Sequence, residues 1–383
     1  MTVFPESRHL WNLIFGPSPL EDDVSRWIQQ EFVFTNKFVL EQSHGGPCGI
    51  LAAVQGFMLI DLIFISRGIK NMDELLTVDS ETVSNSLING LLSILHRASS
   101  KKPICLIMWN NESGNFSEFE LRNNNQLLSI SLLDFLATLV VHRSIALVVA
   151  DMDDPSNPLV SRFGHCSQEI VNLVLFGRAT SNVFDGEQDL GDGMSLRGVG
   201  LDSQVDVGLL SELEALRYVT VGSKLKHPNF PFWMLGSTNH YTLLFGFERT
   251  SPICIDPFVA AFQAHAFDDG IVAGSDVGKI IADLNLTEEH KTKLNSIVNE
   301  DVLLLSDYTE WADSVRTTPV VASSTCLEFF FIDGQKPISV LAVTISENHL
   351  IVPEGVIDYG ENLCAIIRTN WPQCKHVRAV KLV

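Results

Sequence analysis

The first half of the chain carries apolar residues at helical spacing. Val24, Trp27 and Ile28 recur three or four residues apart, which predicts an amphipathic helix near the N-terminus. A longer apolar stretch follows Cys48 and is stopped by Gly68, which predicts a buried helix. The helices predicted in this half are Leu20–Phe32, Cys48–Arg67, Asp79–His96 and Leu127–Val140.

The second half is richer in short apolar runs that end at turn residues, the pattern of β-strands. The predicted strands are Phe38–Leu40, Pro103–Trp109, Ser144–Ala150, Phe232–Leu235, Tyr241–Phe247, Ile253–Asp256, Leu327–Ile332, Ile338–Ile345 and Leu363–Arg368. The acidic stretch Asp151–Pro158 and the glycine-rich stretch Gly177–Gly200 predict loops, and Ile271–Ala312 predicts a helical insert. Helices first and strands second indicate an α+β domain.

Length and composition agree with a globular protein. The 383 residues are 46% hydrophobic and 19% charged, enough to bury one large core or two ordinary ones and too apolar for a disordered chain. The net charge is −20, from 26 basic and 46 acidic residues. We expect no nucleic-acid partner, because an acidic surface repels phosphate backbones. A basic protein or peptide is the favoured partner.

We expect neither a membrane span nor an oxidising compartment. The longest apolar run, Ile50–Ile65, is interrupted by Gln55 and Asp61 and is shorter than a span requires. The first residues, MTVFPESRHLW, lack the features of a signal peptide, which predicts an intracellular protein. The seven cysteines include no CxxC pair and predict neither a metal site nor a redox motif. We expect Cys364 and Cys374 to stay reduced.

The segment with the clearest chemistry is QSHGGPC, residues 42–48, directly before the predicted apolar helix. Cys48 would stand in the first turn of that helix, where unpaired backbone N–H groups and the helix dipole favour a thiolate. Gly45 and Gly46 leave space for a substrate backbone. The amide of Gln42 can fold back toward the oxyanion that forms when a thiolate attacks a carbonyl. The alternative for Cys48 alone is a buried structural cysteine.

A cysteine nucleophile needs a base, and His240 is the best placed of the eleven histidines. It opens a predicted apolar strand after a bend of small residues, so its ring can project from the strand end. The residue that orients the imidazole is either Asp256, on the next predicted strand, or the neighbouring Asn239. His44 is close to Cys48 in sequence, but it shares the same loop and ranks well below His240.

These residues resemble those of the MINDY family of cysteine deubiquitinases, in the branch with a GGPCGVLAAVQ-type motif. The most specific similar segments are EQSHGGPCGILAAVQGFML and FWMLGSTNHYTLLF. The other similar segments are LWNLIFG, WIQQEFVF, NVFDG, VGLLSELEALRYVTVG, LKHP and NWPQC. The resemblance implies that Cys48 is the nucleophile, His240 the catalytic histidine and Gln42 the oxyanion residue.

The resemblance also implies a papain-like α+β fold, with the nucleophile in a helical N-terminal part and the histidine in a strand-rich C-terminal part of one domain, 1–383. It implies hydrolysis of isopeptide bonds in polyubiquitin, with lysine-48-linked chains preferred, in the cytoplasm and nucleus and without cofactor or metal. Ubiquitin and polyubiquitin are the implied partners, because an acidic groove would attract the arginines of the ubiquitin tail. The alternatives are a catalytically silent ubiquitin-binding protein and a cysteine peptidase or transferase for other peptides.

Relatives in this family carry an EF-hand-like insert, which corresponds here to residues 264–312. A calcium loop needs oxygen ligands at its first, third, fifth and twelfth positions and glycine at its sixth. With Gly270 at the sixth position, His265 is first and Phe267 third, and neither supplies the usual oxygen. We therefore expect a degenerate insert that packs as helices and binds no calcium. The insert residues expected to be buried are Ile271, Val277, Ile280, Ile281 and Leu284.

Overall fold

The computed structural model describes most of the chain and divides it into two compact units. Unit 1 comprises Met1–Arg249 and Cys326–Val383, and unit 2 comprises Thr250–Thr325. The described residues are 2–43, 45–99, 103–191, 193–248, 258, 261–262, 265–268, 271–284, 286–299, 301–315, 327–335, 338–346, 357–358, 361–371 and 376–382. The prediction of one catalytic domain stays a prediction.

The first part of unit 1 is mainly helical. Its α-helices are Ser7–Phe15, Glu21–Gln29, Cys48–Ile60, Met72–Leu76, Ser80–Ala98, Leu132–Arg143, Ile145–Asp151, Gln168–Phe176, Glu212–Ala215 and Ser223–Lys226. The four predicted helices are confirmed, with shifted ends. The fourth begins later than predicted because Ser131 caps it: the Ser131 hydroxyl accepts the Asp134 N–H, and the Asp134 carboxylate accepts the Ser131 N–H. A 3₁₀-helix, Asn124–Ser129, precedes it.

The helix Cys48–Ile60, continued by a π-helix over Asp61–Ser66, runs through the core. Every residue of Cys48–Ile60 is buried. Gly90 of the helix Ser80–Ala98 permits a close crossing, because a Cβ atom there would lie 2.9 Å from the Met58 nitrogen. By length and composition Cys48–Ser66 could span a membrane, but 89% of its most apolar window is buried inside the protein. It packs as a core helix of unit 1.

Unit 1 also contains a seven-stranded sheet, which we call the main sheet. In spatial order its strands are Ile357–Asp358, His376–Lys381, Ser339–Ser346, Leu327–Asp333, Tyr241–Phe245, Phe232–Gly236 and Gly208–Ser211. All neighbours are antiparallel except the last pair, which is parallel. Four of its strands match predicted ones, whereas the predicted strand Ile253–Asp256 lies outside the described residues. Mixed helices and sheet make the fold α+β.

Smaller strands complete unit 1, and several escaped the sequence pattern. The hairpin of Cys105–Asn110 and Asn115–Glu120 is extended by Thr2–Val3, and only its first strand was predicted. Phe34–Asn36 pairs with Val39–Leu40. The remaining hairpin, Glu187–Gly191 with Met194–Arg197, lies within the predicted loop Gly177–Gly200, so that loop assignment is wrong for these residues. Their mostly exposed side chains carry no apolar alternation to detect.

Two predicted strands are helices. Ser144–Ala150 is the helix Ile145–Asp151, in which Ile145 and Val148 are buried at helical spacing and Arg143 pairs with Asp151 at 3.0 Å across its length. Leu363–Arg368 lies in the helix Glu361–Arg368, which buries Ile366 and Ile367. Both errors have the same cause: a short apolar run fits a buried strand or a buried helix, and packing decides between them.

Unit 2 combines a small sheet with helices around its own core. Its strands are Ala266–Asp268, Ile271–Ala273 and Val302–Leu304, and its helices are Val277–Leu284, Glu288–Ser296 and Leu305–Val315, with a 3₁₀ turn over Gly274–Asp276. The prediction of a helical insert is therefore confirmed where these helices lie, and it is wrong where the segment forms strands. Val277 and Ile280 are buried as predicted, whereas Ile271, Ile281 and Leu284 are only partly buried. Gly270 lies outside the described residues.

Candidate active site

Cys48 begins the core helix, as the sequence predicted. Pro47 stands at the N-cap position, and Gly46 adopts φ +134, a backbone conformation that favours glycine. Cys48 is buried, with 3% of its surface exposed, and its sulfur lies 3.7 Å from the Gly46 carbonyl oxygen. The first turn of this helix therefore presents its unpaired N–H groups beside a buried sulfur.

The loop before Cys48 is held by two glutamines. The side-chain oxygen of Gln30 accepts the Ser43 N–H at 2.9 Å. On the core helix, the Gln55 side-chain oxygen accepts the Leu40 N–H at 2.7 Å, and its nitrogen donates to the Phe38 carbonyl at 2.9 Å. These buried amides tie the preceding strand to the helix. The sulfur and the loop residues therefore keep a fixed relative position.

Gln42 is buried and lies in the same cavity as Cys48. The two residues line this small cavity together with Tyr241 and Gly334. The Gln42 N–H donates to the Gly334 carbonyl at 2.9 Å, which joins the loop before the nucleophile to the end of a main-sheet strand. Gln42 and Cys48 therefore share one cavity, and the oxyanion role of Gln42 stays a prediction.

His240 follows a tight turn between two neighbouring strands of the main sheet. The backbone N–H and the hydroxyl of Ser237 both donate to the His240 carbonyl, at 2.9 and 3.0 Å. The Glu212 carboxylate accepts the Thr238 N–H at 2.7 Å and the Thr238 hydroxyl at 2.8 Å. The turn is therefore fixed at both ends, and the histidine ring projects from the strand end as predicted.

The group that orients the imidazole is Asp333. The Nε2 atom of His240 donates to an Asp333 carboxylate oxygen at 2.9 Å, which leaves Nδ1 for the Cys48 sulfur. Asp333 ends the strand paired with Tyr241–Phe245 and is 93 residues from His240 in sequence. The sequence had offered Asn239 or Asp256. Asn239 is exposed, and Asp256 lies outside the described residues, as does His44.

The electrostatics of Cys48 and His240 favour a thiolate–imidazolium pair. Burial raises the pKa of Cys48, but hydrogen bonds from the rings of His165 and His240 and from the Tyr241 N–H outweigh it and lower that pKa to about 7. Burial lowers the pKa of His240, but Asp333 and Cys48 together raise it to about 9. The two groups are therefore oppositely charged between these values.

Sequence reasoning missed His165, whose ring is one of the groups that lower the pKa of Cys48. It belongs to residues 161–166, which we call the 161–166 loop. Cys166 is buried at the same place, and burial raises the pKa of its thiol. Burial also raises the pKa of Tyr241. No pattern in the sequence distinguishes His165 from the other histidines. Only the packing of the loop against the helix start brings it to the sulfur.

The described residues offer no candidate metal site. Within those ranges, no group of three or more histidine, cysteine, aspartate or glutamate side chains is arranged to hold a metal ion. In unit 2, the His265 Nε2 atom lies 2.7 Å from an Asp283 carboxylate oxygen, so the residue at the first position of the degenerate loop is hydrogen-bonded to another side chain. The absence of a cofactor stays a prediction.

Comparison with known proteins agrees with the residues of this site. The domain described as deubiquitinating enzyme MINDY-3/4, conserved domain, matches residues 12–135 and 120–252. These segments contain Gln42, Cys48, His165 and His240, whereas Asp333 lies beyond them. No solved structure matches the chain.

Curated relatives carry corresponding names. A mouse protein named probable ubiquitin carboxyl-terminal hydrolase MINDY-4 is 32% identical over 58% of this chain and 34% of its own length. The fruit-fly ubiquitin carboxyl-terminal hydrolase MINDY-3 homolog is 28% identical over 65% of this chain and 57% of its own length. The mouse ubiquitin carboxyl-terminal hydrolase MINDY-3 is 28% identical over 73% of this chain and 74% of its own length. The chain thus spans about a third of one relative and just over half of another. The family domain matches more than half of the chain, which therefore belongs to the MINDY-3/4 family.

Proposed function

We propose that this chain is a thiol-dependent deubiquitinase that hydrolyses isopeptide bonds in polyubiquitin. One observation carries the proposal: the buried Cys48 thiol and the His240 ring shift each other's pKa, and the same ring is hydrogen-bonded to the Asp333 carboxylate at 2.9 Å. The names of the relatives, ubiquitin carboxyl-terminal hydrolases, support ubiquitin as the substrate. Serial thiol–imidazole–carboxylate contact is the arrangement of a nucleophilic acyl-transfer enzyme.

In the acylation step the Cys48 thiolate attacks the isopeptide carbonyl carbon, and the carbonyl oxygen becomes an oxyanion. The Cys48 N–H and the Gln42 side-chain amide donate hydrogen bonds to that oxyanion. When the C–N bond breaks, His240 gives its proton to the departing lysine nitrogen. The products are a free amine, a thioester at Cys48 and a neutral His240.

In the deacylation step neutral His240 takes a proton from a water molecule, and the water oxygen attacks the thioester carbonyl. The C–S bond then breaks, which releases the ubiquitin carboxyl group and restores the Cys48 thiolate beside protonated His240. Asp333 keeps the ring oriented and stabilises the imidazolium in both halves of the cycle. No cofactor enters these steps.

Finer features of the proposal come from the family resemblance and from charge. We propose a papain-like arrangement of the helix start and the strand end, a preference for lysine-48-linked chains, and action in the cytoplasm and nucleus. The net charge of −20 suits the basic tail of ubiquitin. The competing function is a ubiquitin-binding protein of the same fold without turnover.

A ubiquitin probe with a C-terminal electrophile tests the proposal. Covalent capture of the chain, mapped to Cys48 by peptide mass spectrometry, supports the deubiquitinase. The matched control is Cys105→Ala, which should be captured like the unmodified chain, whereas Cys48→Ala should not. Reversible binding without capture would favour the silent binding protein. No interaction would favour a peptidase or transferase for other substrates and would remove the proposal.

A further inference from the structure

The 161–166 loop turns sharply and presents a histidine at its end. Phe163 and Gly164 both have positive φ, at 64 and 73, which reverses the direction of the chain. The Ser161 N–H and hydroxyl donate to the His165 carbonyl at 2.9 and 3.1 Å. The backbone of His165 is therefore fixed by the base of its own loop.

The loop is also anchored to the helix Glu21–Gln29. The Trp27 ring nitrogen donates to the Gly164 carbonyl at 2.8 Å, and Arg26 donates to the Phe163 carbonyl at 2.6 Å. The Trp27 bond is buried. Two carbonyls in successive residues are thus held from one side, so the loop cannot slide along the site without breaking both bonds.

On its other side the loop lies directly against the segment of the nucleophile. A Cβ atom on Gly46 would lie 2.9 Å from the Gly164 carbonyl oxygen, and one on Gly49 would lie 3.2 Å from the Cys166 sulfur. The residue between those two contacts is His165, and Cys48 lies between Gly46 and Gly49. These contacts place the backbone of His165 beside Cys48, and the partly buried His165 ring is one of the hydrogen-bonding groups that lower the pKa of the Cys48 thiol.

We propose that His165 is a second histidine of the site, which donates a hydrogen bond to the Cys48 sulfur and stabilises the thiolate independently of His240. An imidazole has at least one N–H in either protonation state, so this role requires no proton transfer. The titratable groups that face the sulfur are His165, His240, Cys166 and Tyr241. Of these, only the two histidines favour the thiolate.

There is a physical reason for two histidines with different roles beside one sulfur. Burial opposes a charge on the sulfur, so one donor that is also committed to proton transfer is a poor sole support for the thiolate. His240 gives its proton away in the proposed acylation step, whereas His165 keeps its own. Losing His165 should therefore reduce the thiolate population at low pH, whereas losing His240 should stop turnover at every pH. The catalytic consequence rests on the proposed function, but the sulfur contact does not.

The test is the pH dependence of Cys48 alkylation by iodoacetamide, followed by mass spectrometry of the Cys48 peptide. The unmodified chain should show a midpoint near pH 7. In His165→Leu we expect the midpoint to rise by about one to two pH units, which is about a ten- to hundredfold slower reaction at pH 6, because one hydrogen bond to a charged group is lost. His165→Gln, which restores a donor, should recover part of the shift.

Two further variants distinguish the effect of the His165 imidazole from that of the rest of its loop and from that of His240. Arg162→Gln, at an exposed position of the same loop, should leave the midpoint unchanged. His240→Ala should keep a midpoint below that of the His165→Leu/His240→Ala double variant. An unchanged midpoint in a folded His165→Leu protein, or an equal shift in Arg162→Gln, would overturn the proposal.

A measurement on the unmodified chain covers the case in which His165→Leu does not fold. The ring N–H resonance of His165 should shift with the titration of Cys48, and Cys48→Ala should abolish that shift. A His165 resonance that is indifferent to Cys48 would overturn the proposal. Alkylation and resonance do not involve ubiquitin, so a failed ubiquitin probe with a positive alkylation shift would reject the deubiquitinase alone.

Discussion

The Cys48 thiol and the His240 ring are brought together by different parts of the structure. The loop before Cys48 is held by Gln30 and Gln55, whose partners are 13 to 17 residues away along the chain. The imidazole is oriented by Asp333, 93 residues away, on a strand that follows the whole of unit 2 in sequence. The thiol side is therefore largely built from local sequence, whereas the imidazole side depends on strand pairing.

This difference also explains which functional residues the sequence revealed. A local arrangement leaves a recognisable spacing in the sequence, such as the six positions from Gln42 to Cys48. A pairing across a long insertion leaves none. His165 shows that the thiol side also has a distant contribution, because its loop reaches the sulfur only through packing.

Removing the sulfur should have the largest effect. We expect Cys48→Ala to lower polyubiquitin cleavage by at least about 10⁴-fold, the scale for loss of a covalent nucleophile. The fold should be retained, because a sulfur-to-hydrogen change at a helix start is small. Cleavage kinetics with purified lysine-48-linked chains and a melting curve measure both. Turnover above that limit in Cys48→Ala would contradict Cys48 as the nucleophile.

The next largest effect should come from Gln42, on the same local side. Gln42→Ala should lower kcat by about 100-fold with little change in KM, because one oxyanion donor acts mainly in the transition state. Steady-state kinetics on a fluorogenic ubiquitin substrate give the split. If KM rises while kcat stays constant, Gln42 binds the substrate and does not stabilise the oxyanion.

Two neighbouring glycines test how tightly the thiol side is packed. Gly46→Ala should destabilise the fold by about 1–3 kcal/mol, because Gly46 has φ +134 and its Cβ atom would meet the Gly164 carbonyl. Gly45→Ala is the matched control, since nothing lies within 4 Å of its Cβ position. Denaturant unfolding measures both variants. Equal stability of the two would show that the 161–166 loop yields at this contact.

On the imidazole side, Asp333→Asn keeps a hydrogen-bond acceptor and removes the charge, so it should change the pH dependence of the rate and have a smaller effect than the variants above. The negative charge helps to raise the pKa of His240 to about 9, so its loss should lower the basic limb of the pH–rate profile by about one unit. The acidic limb near pH 7 belongs to Cys48 and should move less. A basic limb that stays near pH 9 would remove Asp333 from this role.

The smallest effect should be that of calcium on unit 2, the insertion that separates His240 from Asp333 in sequence. We expect no rise in melting temperature at micromolar free calcium, because His265 and Phe267 supply no carboxylate or carbonyl side chain at the first and third positions. Magnesium at the same concentration is the control. A rise specific to calcium would contradict the degenerate insert.

The predicted core helix and the predicted strands around His240 are confirmed, whereas two other short apolar runs were assigned to the wrong type of element. The core helix that begins at Cys48 and the strands on both sides of His240 are in place. Ser144–Ala150 and Leu363–Arg368 were predicted as strands but lie in helices, because an apolar run of seven residues or fewer is too short to show a helical or a strand period. The hairpin Glu187–Gly191 with Met194–Arg197 escaped notice because both its faces are largely exposed.

The sequence by itself determined the α+β class, the helix start at Cys48, the nearby Gln42 and the histidine at a strand end. These features follow from periodicity and from spacings of a few residues, which can be recognised in short segments of the sequence. Only the tertiary structure decided that Asp333 orients His240 and that His165 reaches the sulfur. Sheet pairing joins Asp333 to the strand of His240, and the left-handed turn at Phe163 and Gly164 brings His165 to Cys48. Contacts between residues more than ninety positions apart depend on packing, which no local pattern records.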